Sequence, residues 1–255
     1  MSASIVVDGV TKRFKLAHQK TIKKLTVNAS KGRQISSTFT ALDHISFTLD
    51  QGDAIGLMGL NGSGKSTLLK MISGVMEPDE GSVLTRGRIA GLIEVGAGFH
   101  PELSGRENIF LNGAILGMSQ AEIAAKFDSI LEFSEMEKFL DSSVRHYSSG
   151  MFMRLAFAVA IHTDCDIFLI DEVLAVGDQP FRKKCMKKIR ELKNEGRTMV
   201  YVSHSPKQVM RLCDRGIVLE AGKMAFEGTS KGAVKAVGYD VDDDTDDTGV
   251  DDNGG

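Results

Sequence analysis

The segment Gly59–Ser66 has residue types and a spacing that bind phosphate. It reads Gly-Leu-Asn-Gly-Ser-Gly-Lys-Ser, which matches the pattern G-x4-G-K-[ST], and it joins a predicted strand to a predicted helix. Glycines let backbone N–H groups turn inward toward phosphate oxygens, and the helix adds the positive end of its dipole. Lys65 supplies a point charge to the β- and γ-phosphates, and the Ser66 hydroxyl is a ligand for Mg2+. The candidate nucleotide-binding residues here are Gly59, Asn61, Gly62, Ser63, Gly64, Lys65, Ser66 and Thr67.

Two carboxylates follow a second apolar run of the chain. Residues 165–170 predict a buried strand, and Asp171 and Glu172 come directly after it. Ligands of an open α/β sheet bind at the carboxyl ends of the strands, so both side chains are expected beside the phosphates. Asp171 is predicted to hold the Mg2+ shell, and Glu172 to orient or deprotonate a water beside the γ-phosphate. The alternative interpretation is an ordinary acidic turn after a strand.

A single histidine follows another apolar strand. His204 comes just after the run 198–202, which is predicted to lie parallel to the strand that precedes Asp171. It is therefore expected to face the same crevice, to contact the γ-phosphate and to fix the attacking water. Without the other motifs, such a histidine is more often an ordinary surface or core residue.

Strand and helix patterns alternate along the chain, which predicts an α/β core with a mostly parallel sheet. Apolar residues spaced by three and four predict helices over 106–117, 120–133 and 151–162. These three helices form a block at about 104–163 that is inserted into the core.

Composition excludes several other classes of protein. The 255 residues, 42% of them hydrophobic and 25% charged, suffice for one large domain with a sizeable core. No apolar run approaches the about 20 residues that span a bilayer, and the N-terminus lacks the pattern of a signal peptide. The three cysteines are odd in number and widely spaced, which indicates neither a disulfide framework nor a zinc site. We therefore expect a soluble, cytoplasmic protein.

Charge is divided unevenly along the chain. Residues 240–255 contain eight Asp and no Lys or Arg, so the rest of the chain carries an excess of five positive charges although the net charge is −3. This acidic segment is predicted to be disordered, either as an interaction tail or as a merely solvating one. Residues 12–33 contain eight Lys or Arg and no acid. They are either a solvated loop or a surface that faces anionic lipid headgroups or a membrane partner.

A fourth motif, Tyr147–Met151, resembles the signature sequence L-S-G-G-Q of the ATP-binding-cassette (ABC) ATPases. It reads Tyr-Ser-Ser-Gly-Met, so Ser148 and Gly150 match the family pattern whereas the other three residues depart from it. In that family the signature opens a helix of the helical subdomain and caps the γ-phosphate of an ATP held by a second copy. The resemblance implies that Ser148, Ser149 and Gly150 contact the nucleotide of a partner. A plain helix N-terminus with serine caps is the alternative.

The amino-acid sequences of further motifs are similar to those of the polysaccharide-export branch of the family. Members of this branch export O-antigen, capsular polysaccharide, teichoic acid or cell-wall galactan. These motifs are Gly96–Asn108, Tyr147–Met151 and Asp171–Asp178. The resemblance implies an ABC ATPase domain over residues 3–235, followed by the acidic tail at 236–255. It also implies a P-loop NTPase core with a mostly parallel sheet, an N-terminal antiparallel β part and the inserted helical subdomain.

The resemblance also assigns further site residues. Glu94 stands closest to the position of the family's glutamine, where it is expected to reach Mg2+ or water. Asp178 is expected to touch the opposite copy. Family members stack adenine on an aromatic side chain upstream of the phosphate loop, for which Phe14 is the first choice and Phe39 the second.

The function implied by the resemblance is ATP hydrolysis that drives export of a lipid-linked polysaccharide. The expected partners are a second copy of the chain, packed head to tail, and a separate transmembrane permease at the cytoplasmic face of the membrane; no nucleic acid is expected. Three alternatives stay open at this point: a soluble ABC-type ATPase acting on nucleic acid or ribosomes, a regulatory module that holds ATP without transport, and a P-loop kinase.

Overall fold

The computed structural model describes residues 2–17, 36–92, 96–171 and 178–239. Its strands form two sheets, which position the candidate site between them. The strands are β1 (Ala3–Ala17), β2 (Ser36–Asp50), β3 (Ala54–Met58), β4 (Glu80–Thr85), β5 (Ile89–Leu92), β6 (Ile167–Ile170), β7 (Thr198–Val202), β8 (Arg215–Glu220) and β9 (Lys223–Thr229). The α-helices are α1 (Lys65–Ile72), α2 (Gly105–Ile115), α3 (Gln120–Ser134), α4 (Ser149–Ile161), α5 (Gln179–Asn194), α6 (Pro206–Leu212) and α7 (Ser230–Ala236).

The larger sheet has six strands in the order β5-β6-β7-β3-β8-β9. All of its pairings are parallel except that of β8 with β9. Every residue of β3, β6 and β7 is buried, because helices cover both faces, and this explains why these strands read as continuous apolar runs. The predicted α/β core is confirmed. Its three central strands end side by side, so the segments that follow them meet at one edge.

The smaller sheet is antiparallel, in the order β2-β1-β4, and it confirms the expected N-terminal β part. In its register Phe14 lies directly opposite Phe39. Strand β4 was not predicted from the sequence. Its side chains are almost all exposed, and it therefore lacks the alternation of apolar and polar residues that marks a half-buried strand.

The predicted helical block is present as α2, α3 and α4, which pack around buried residues such as Ile109, Ile130 and Leu155. Both α2 and α3 begin with capping boxes. In the second box the Ser119 N–H donates to the Glu122 carboxylate at 2.6 Å, and this hydrogen bond is the main cause that lowers the pKa of Glu122 to about 2. The predicted bounds differ slightly, since α2 ends at Ile115 before Gly117, which has a φ of 86°.

The last described helix lies at the predicted end of the ATPase domain. Helix α7 continues to Ala236, one residue past the expected domain boundary, and packs against α6, β3 and β8. Residues 240–255 and the part 18–35 of the basic segment lie outside the described residues. In the described ranges, none of the helices combines the length and the apolar composition needed to cross a membrane.

The three cysteines allow a test of the core. Cys165, Cys185 and Cys213 are buried, and burial raises the pKa of each thiol from 9.0 to about 12. A thiol kept protonated by burial stabilises the fold below its unfolded pKa, and this contribution is lost as the pH rises above it, so we expect the free energy of unfolding to fall above about pH 9. At about pH 8 a thiol reagent should label none of the three until the chain is unfolded in guanidinium. Rapid labelling of the folded protein would contradict this packing.

Candidate nucleotide-binding site

A cavity of about 300 Å3 lies at the carboxyl ends of β3, β6 and β7, under the edge of the smaller sheet. Residues from five separate parts of the chain line it, and most of them were candidate site residues from the sequence. The lining residues are Phe14, Phe39, Ala41, Asn61, Gly62, Gly64, Lys65, Ser66, Thr67, Asp171, Val202 and His204. The structure therefore brings together the phosphate-loop motif, the first acidic residue and the histidine.

The loop before α1 depends on glycine conformations. Gly59, Gly62 and Gly64 have φ values of 138°, 81° and 108°, which side chains rarely adopt. At Gly64, the residue that precedes the first turn of α1, a Cβ atom would also lie 2.6 Å from the carbonyl oxygen of Ala41. Glycine therefore lets the loop turn closely against the rest of the chain.

Two alanine substitutions in the loop distinguish the cost of a steric clash from the cost of an unfavourable φ angle. A Cβ at Gly59 would collide with the carbonyl oxygen of Leu219, whereas nothing lies within 4 Å of the corresponding atom at Gly62. We expect Gly59→Ala to lower the free energy of unfolding by about 3 kcal/mol. The matched control Gly62→Ala should lose only about 1 kcal/mol, since it bears the cost of the φ angle alone. Denaturant unfolding measures both, and equal losses would contradict the close approach.

Lys65 lies across the loop. Its side chain is only 7% exposed, and its Nζ donates to the carbonyl oxygens of Gly59 at 2.7 Å and Leu60 at 2.9 Å. A buried ammonium held on carbonyl oxygens can exchange these acceptors for phosphate oxygens, which carry charge and bind it more strongly. Ser63 Oγ is buried and has no hydrogen-bond partner among the described residues, so the loop also holds an unused polar atom.

The site offers hard oxygen ligands of the kind that Mg2+ prefers. The Ser66 hydroxyl and the half-buried Asp171 carboxylate belong to the same cavity lining. The first turn of α1 contains no acidic side chain that would neutralise its helix dipole. In the described ranges no three His, Cys, Asp or Glu side chains form a metal cluster. A cation here would thus share its ligands with a bound phosphate, and the residues fit Mg2+ in that arrangement.

The two aromatic candidates lie on the same wall of the cavity. Phe14 is half-buried, and Phe39, its partner across β1 and β2, is 48% exposed. Both offer a flat apolar surface beside the phosphate loop. The geometry therefore favours an aromatic platform at this place without separating the first choice from the second.

The signature residues are not part of the cavity lining. Ser148 caps α4, where its side chain accepts a hydrogen bond from the Met151 N–H at 3.2 Å. Ser148 and Ser149 are exposed, and Gly150 is half-buried. The serine cap anticipated from the sequence is thus present, but in the described part of the chain these residues lie outside the cavity that contains the phosphate loop.

Asp178 is engaged within its own chain. It caps α5 by accepting a hydrogen bond from the Phe181 N–H at 3.1 Å, and it pairs with Arg154 Nη2 at 2.8 Å. Arg154 also pairs with Glu135 at 2.6 Å, so one guanidinium on the signature helix α4 links two acidic residues. Sequence reasoning missed Arg154, although its place three residues after Met151 on a predicted helix could have drawn attention to it.

Two candidate site residues, Glu94 and Glu172, lie outside the described residues. Their assigned roles, water or Mg2+ contact for Glu94 and water activation for Glu172, therefore stay predictions. The residue before Glu172 is described: Asp171 directly follows β6 and lines the cavity.

The fold and the phosphate loop together define the class of P-loop NTPases, with an inserted helical block. A family model described as ABC transporter matches residues 42–175. The chain belongs to the ABC transporter family.

Two relatives agree with this assignment, and a solved structure has a similar fold. The chain is similar to the ABC transporter protein AbcA of Aeromonas salmonicida, with 50% identity over 77% of this chain and 64% of that protein. It is 43% identical to the O-antigen export system ATP-binding protein RfbB of Klebsiella pneumoniae, over 91% of this chain and 96% of RfbB. Its fold is similar to that of the ATP-binding cassette MJ0796, solved as a dimer bound to ADP and Pi. The TM-score is 0.70, with 23% identity over 89% of this chain and 98% of that one. The chain thus spans somewhat less than two thirds of AbcA but nearly all of RfbB.

Proposed function

We propose that this chain hydrolyses ATP with Mg2+ and so drives export of a lipid-linked polysaccharide through a separate transmembrane permease. The observation that carries the ATPase part is the single cavity in which the phosphate loop, Asp171 and His204 meet. The assignment of a polysaccharide as the exported substrate is supported by the similarity to RfbB, whose name describes O-antigen export. It is also supported by the motif sequences that resemble the polysaccharide-export branch. In this proposal the chain lies at the cytoplasmic face of the membrane, held there by its permease.

Each cavity residue has a task that its chemistry suits. The loop N–H groups and the Lys65 ammonium bind the phosphates, and Phe14 or Phe39 stacks on the adenine. Ser66 and Asp171 would hold Mg2+, which supplies charge neutralisation at the β- and γ-phosphates. His204 donates to the γ-phosphate and fixes the attacking water, which Glu172 orients or deprotonates.

A second copy completes the site in this proposal. The signature residues Ser148, Ser149 and Gly150 lie outside the cavity of their own chain, and the two serines are exposed. Head-to-tail packing would place them over the ATP of the partner. The bound ATP then supplies contacts between the two copies that neither protein surface has alone. Hydrolysis removes these contacts and separates the pair. Asp178 would meet the opposite copy while it also pairs with Arg154 of its own chain.

A groove that shares helix α1 with the nucleotide site suits the permease. It has a volume of about 260 Å3 and lies between α1, β5 and α2, with Gly96 and Ala97 at one side. Val75 and Ile115 line it and are 72% and 57% exposed. Exposed apolar side chains of this size at a groove are typical of protein interfaces. The groove adjoins both the phosphate-loop helix and the helical block, so a partner bound there would sense movement of one against the other.

The permease interaction is tested by Ile115→Asp. An aspartate in an apolar interface is costly to bury, so we expect the variant to co-purify about tenfold less permease and to lose polysaccharide export, while it binds ATP normally. Leu84→Asp is the matched control, because Leu84 is 63% exposed on β4, away from the groove. The measurements are co-purification of both proteins and surface glycan in cells. Equal effects of both changes, or co-purification with RNA in place of a membrane protein, would contradict the proposal.

A further inference from the structure

A third cavity, of about 250 Å3, lies between α5 and α6. It has four cationic side chains in its lining and no acidic one, together with polar Gln179 and Gln208. The cations are Arg182, Lys183, Arg190 and Arg211. We call this the cationic cavity.

The charges of the cationic cavity are not neutralised by the described part of the chain. None of its four cations forms an ion pair within 4.0 Å among the described residues. Two acidic residues on or beside the same helices bind other lysines: Glu191 pairs with Lys188 at 3.6 Å, and Asp214 pairs with Lys193 at 3.0 Å. Four like charges around one cavity repel one another, and a ligand with several negative charges relieves that repulsion.

The chain itself contains a segment with this chemistry. Residues 240–255 carry eight Asp and no Lys or Arg. They continue from α7, which packs against α6, one of the two helices that form the cationic cavity. Fully extended, a segment of this length reaches roughly 50 Å, so distance does not prevent contact. A tethered segment is also present at a high effective concentration, which favours it over free anions in solution.

We propose that the acidic segment 240–255 binds in the cationic cavity of its own chain and joins α5 to α6. Helix α5 begins directly after Asp178, and α6 begins two residues after His204. The bound segment would therefore hold together the helices that follow two elements of the nucleotide site. This binding rests on charge and placement and does not depend on the proposed ATPase activity.

Zero-length cross-linking of the full-length protein tests the location. A carbodiimide joins an Asp carboxylate to a Lys amine only when the two groups are in contact, and Lys183 is the lysine that lines the cationic cavity. Mass spectrometry of monomeric protein should find tail peptides linked to Lys183, with the yield falling about tenfold in high salt because exposed charges are screened. Links to the basic segment 12–33, links only between two copies, or no salt-sensitive link would each overturn the proposal.

Peptide titration measures the contribution of the cations. The full-length chain with all eight tail Asp changed to Asn should bind a synthetic peptide of residues 237–255, which keeps the natural aspartates. Arg190→Glu with Arg211→Glu should weaken this binding about tenfold or more. The matched control is Arg86→Glu with Lys138→Glu, which reverses two exposed cations away from the cavity and changes the net charge equally. Equal weakening in both variants, or no binding at all, would overturn the proposal.

Discussion

Lys65→Ala is expected to lower the affinity for ATP about 100-fold and to reduce phosphate release below detection. The side chain is 7% exposed and places its ammonium on the loop, where the phosphates are proposed to bind. Removal of one buried cationic donor at a site of developing charge costs about 100- to 1000-fold in rate, and the same group also binds the ground-state phosphates. Titration calorimetry with ATP and Mg2+ measures the first effect, and a phosphate-release assay measures the second.

The control for this change is Lys138→Ala, an exposed lysine of the helical block that does not line the cavity. It should leave affinity and turnover unchanged. Because Lys65 also donates to the Gly59 and Leu60 carbonyl oxygens, its removal leaves these acceptors to water, and thermal unfolding shows whether the loop stays folded. Unchanged ATP affinity in a folded Lys65→Ala protein would contradict the assignment of the phosphate loop.

The parts of the fold that were read correctly from the sequence are those with strong, uniform patterns. Strand β7 has the bounds that the sequence predicts, and β6 begins two residues after the predicted start. Both strands are short apolar runs in which every residue is buried. Helices on both sides of a parallel sheet bury both faces of its strands, and such strands therefore consist of apolar residues. The apolar run in the sequence thus directly indicates a buried strand.

The parts that the sequence did not predict are those in which tertiary context decides the structure. Strand β4 is exposed along its length and is formed by pairing with β1. Helix α7 is short and contains Gly232, which lowers helix propensity, but Ala233 and Val234 bury against the sheet. Both elements are stabilised by contacts with other parts of the chain. The residues of the element itself do not reveal these contacts, so its sequence pattern does not predict it.

The candidate site shows the same division. Residues of the phosphate loop, Asp171 and His204 could be brought together from sequence because parallel strands share one edge. The proposed adenine platform could not be assembled from the sequence, because only the register of β1 with β2 reveals that Phe14 and Phe39 are opposite each other. The Arg154 pairs with Glu135 and Asp178 were also missed, because they join residues that are 19 and 24 positions apart.

Glu172→Gln is expected to separate binding from hydrolysis. The change keeps the size of the side chain and removes the carboxylate that would accept a proton from water, so we expect turnover to fall about 1000-fold. Affinity for ATP should stay within about threefold, because the phosphate contacts of Lys65 and the loop are retained. The ATP-bound pair then persists, and light scattering should show a dimer with ATP and a monomer with ADP.

The adjacent carboxylate provides the contrast for this prediction. Asp171 directly follows β6, lines the cavity and is proposed to hold Mg2+. Asp171→Asn should therefore weaken the dependence of ATP binding on Mg2+ as well as turnover. Two neighbouring acids thus give different outcomes: one variant binds ATP tightly and stalls as a dimer, and the other binds ATP poorly at ordinary Mg2+ concentrations. If Glu172→Gln hydrolysed ATP at the normal rate, another group would activate the water. If both variants behaved alike, the assignment of Mg2+ binding to Asp171 and of water activation to Glu172 would be wrong.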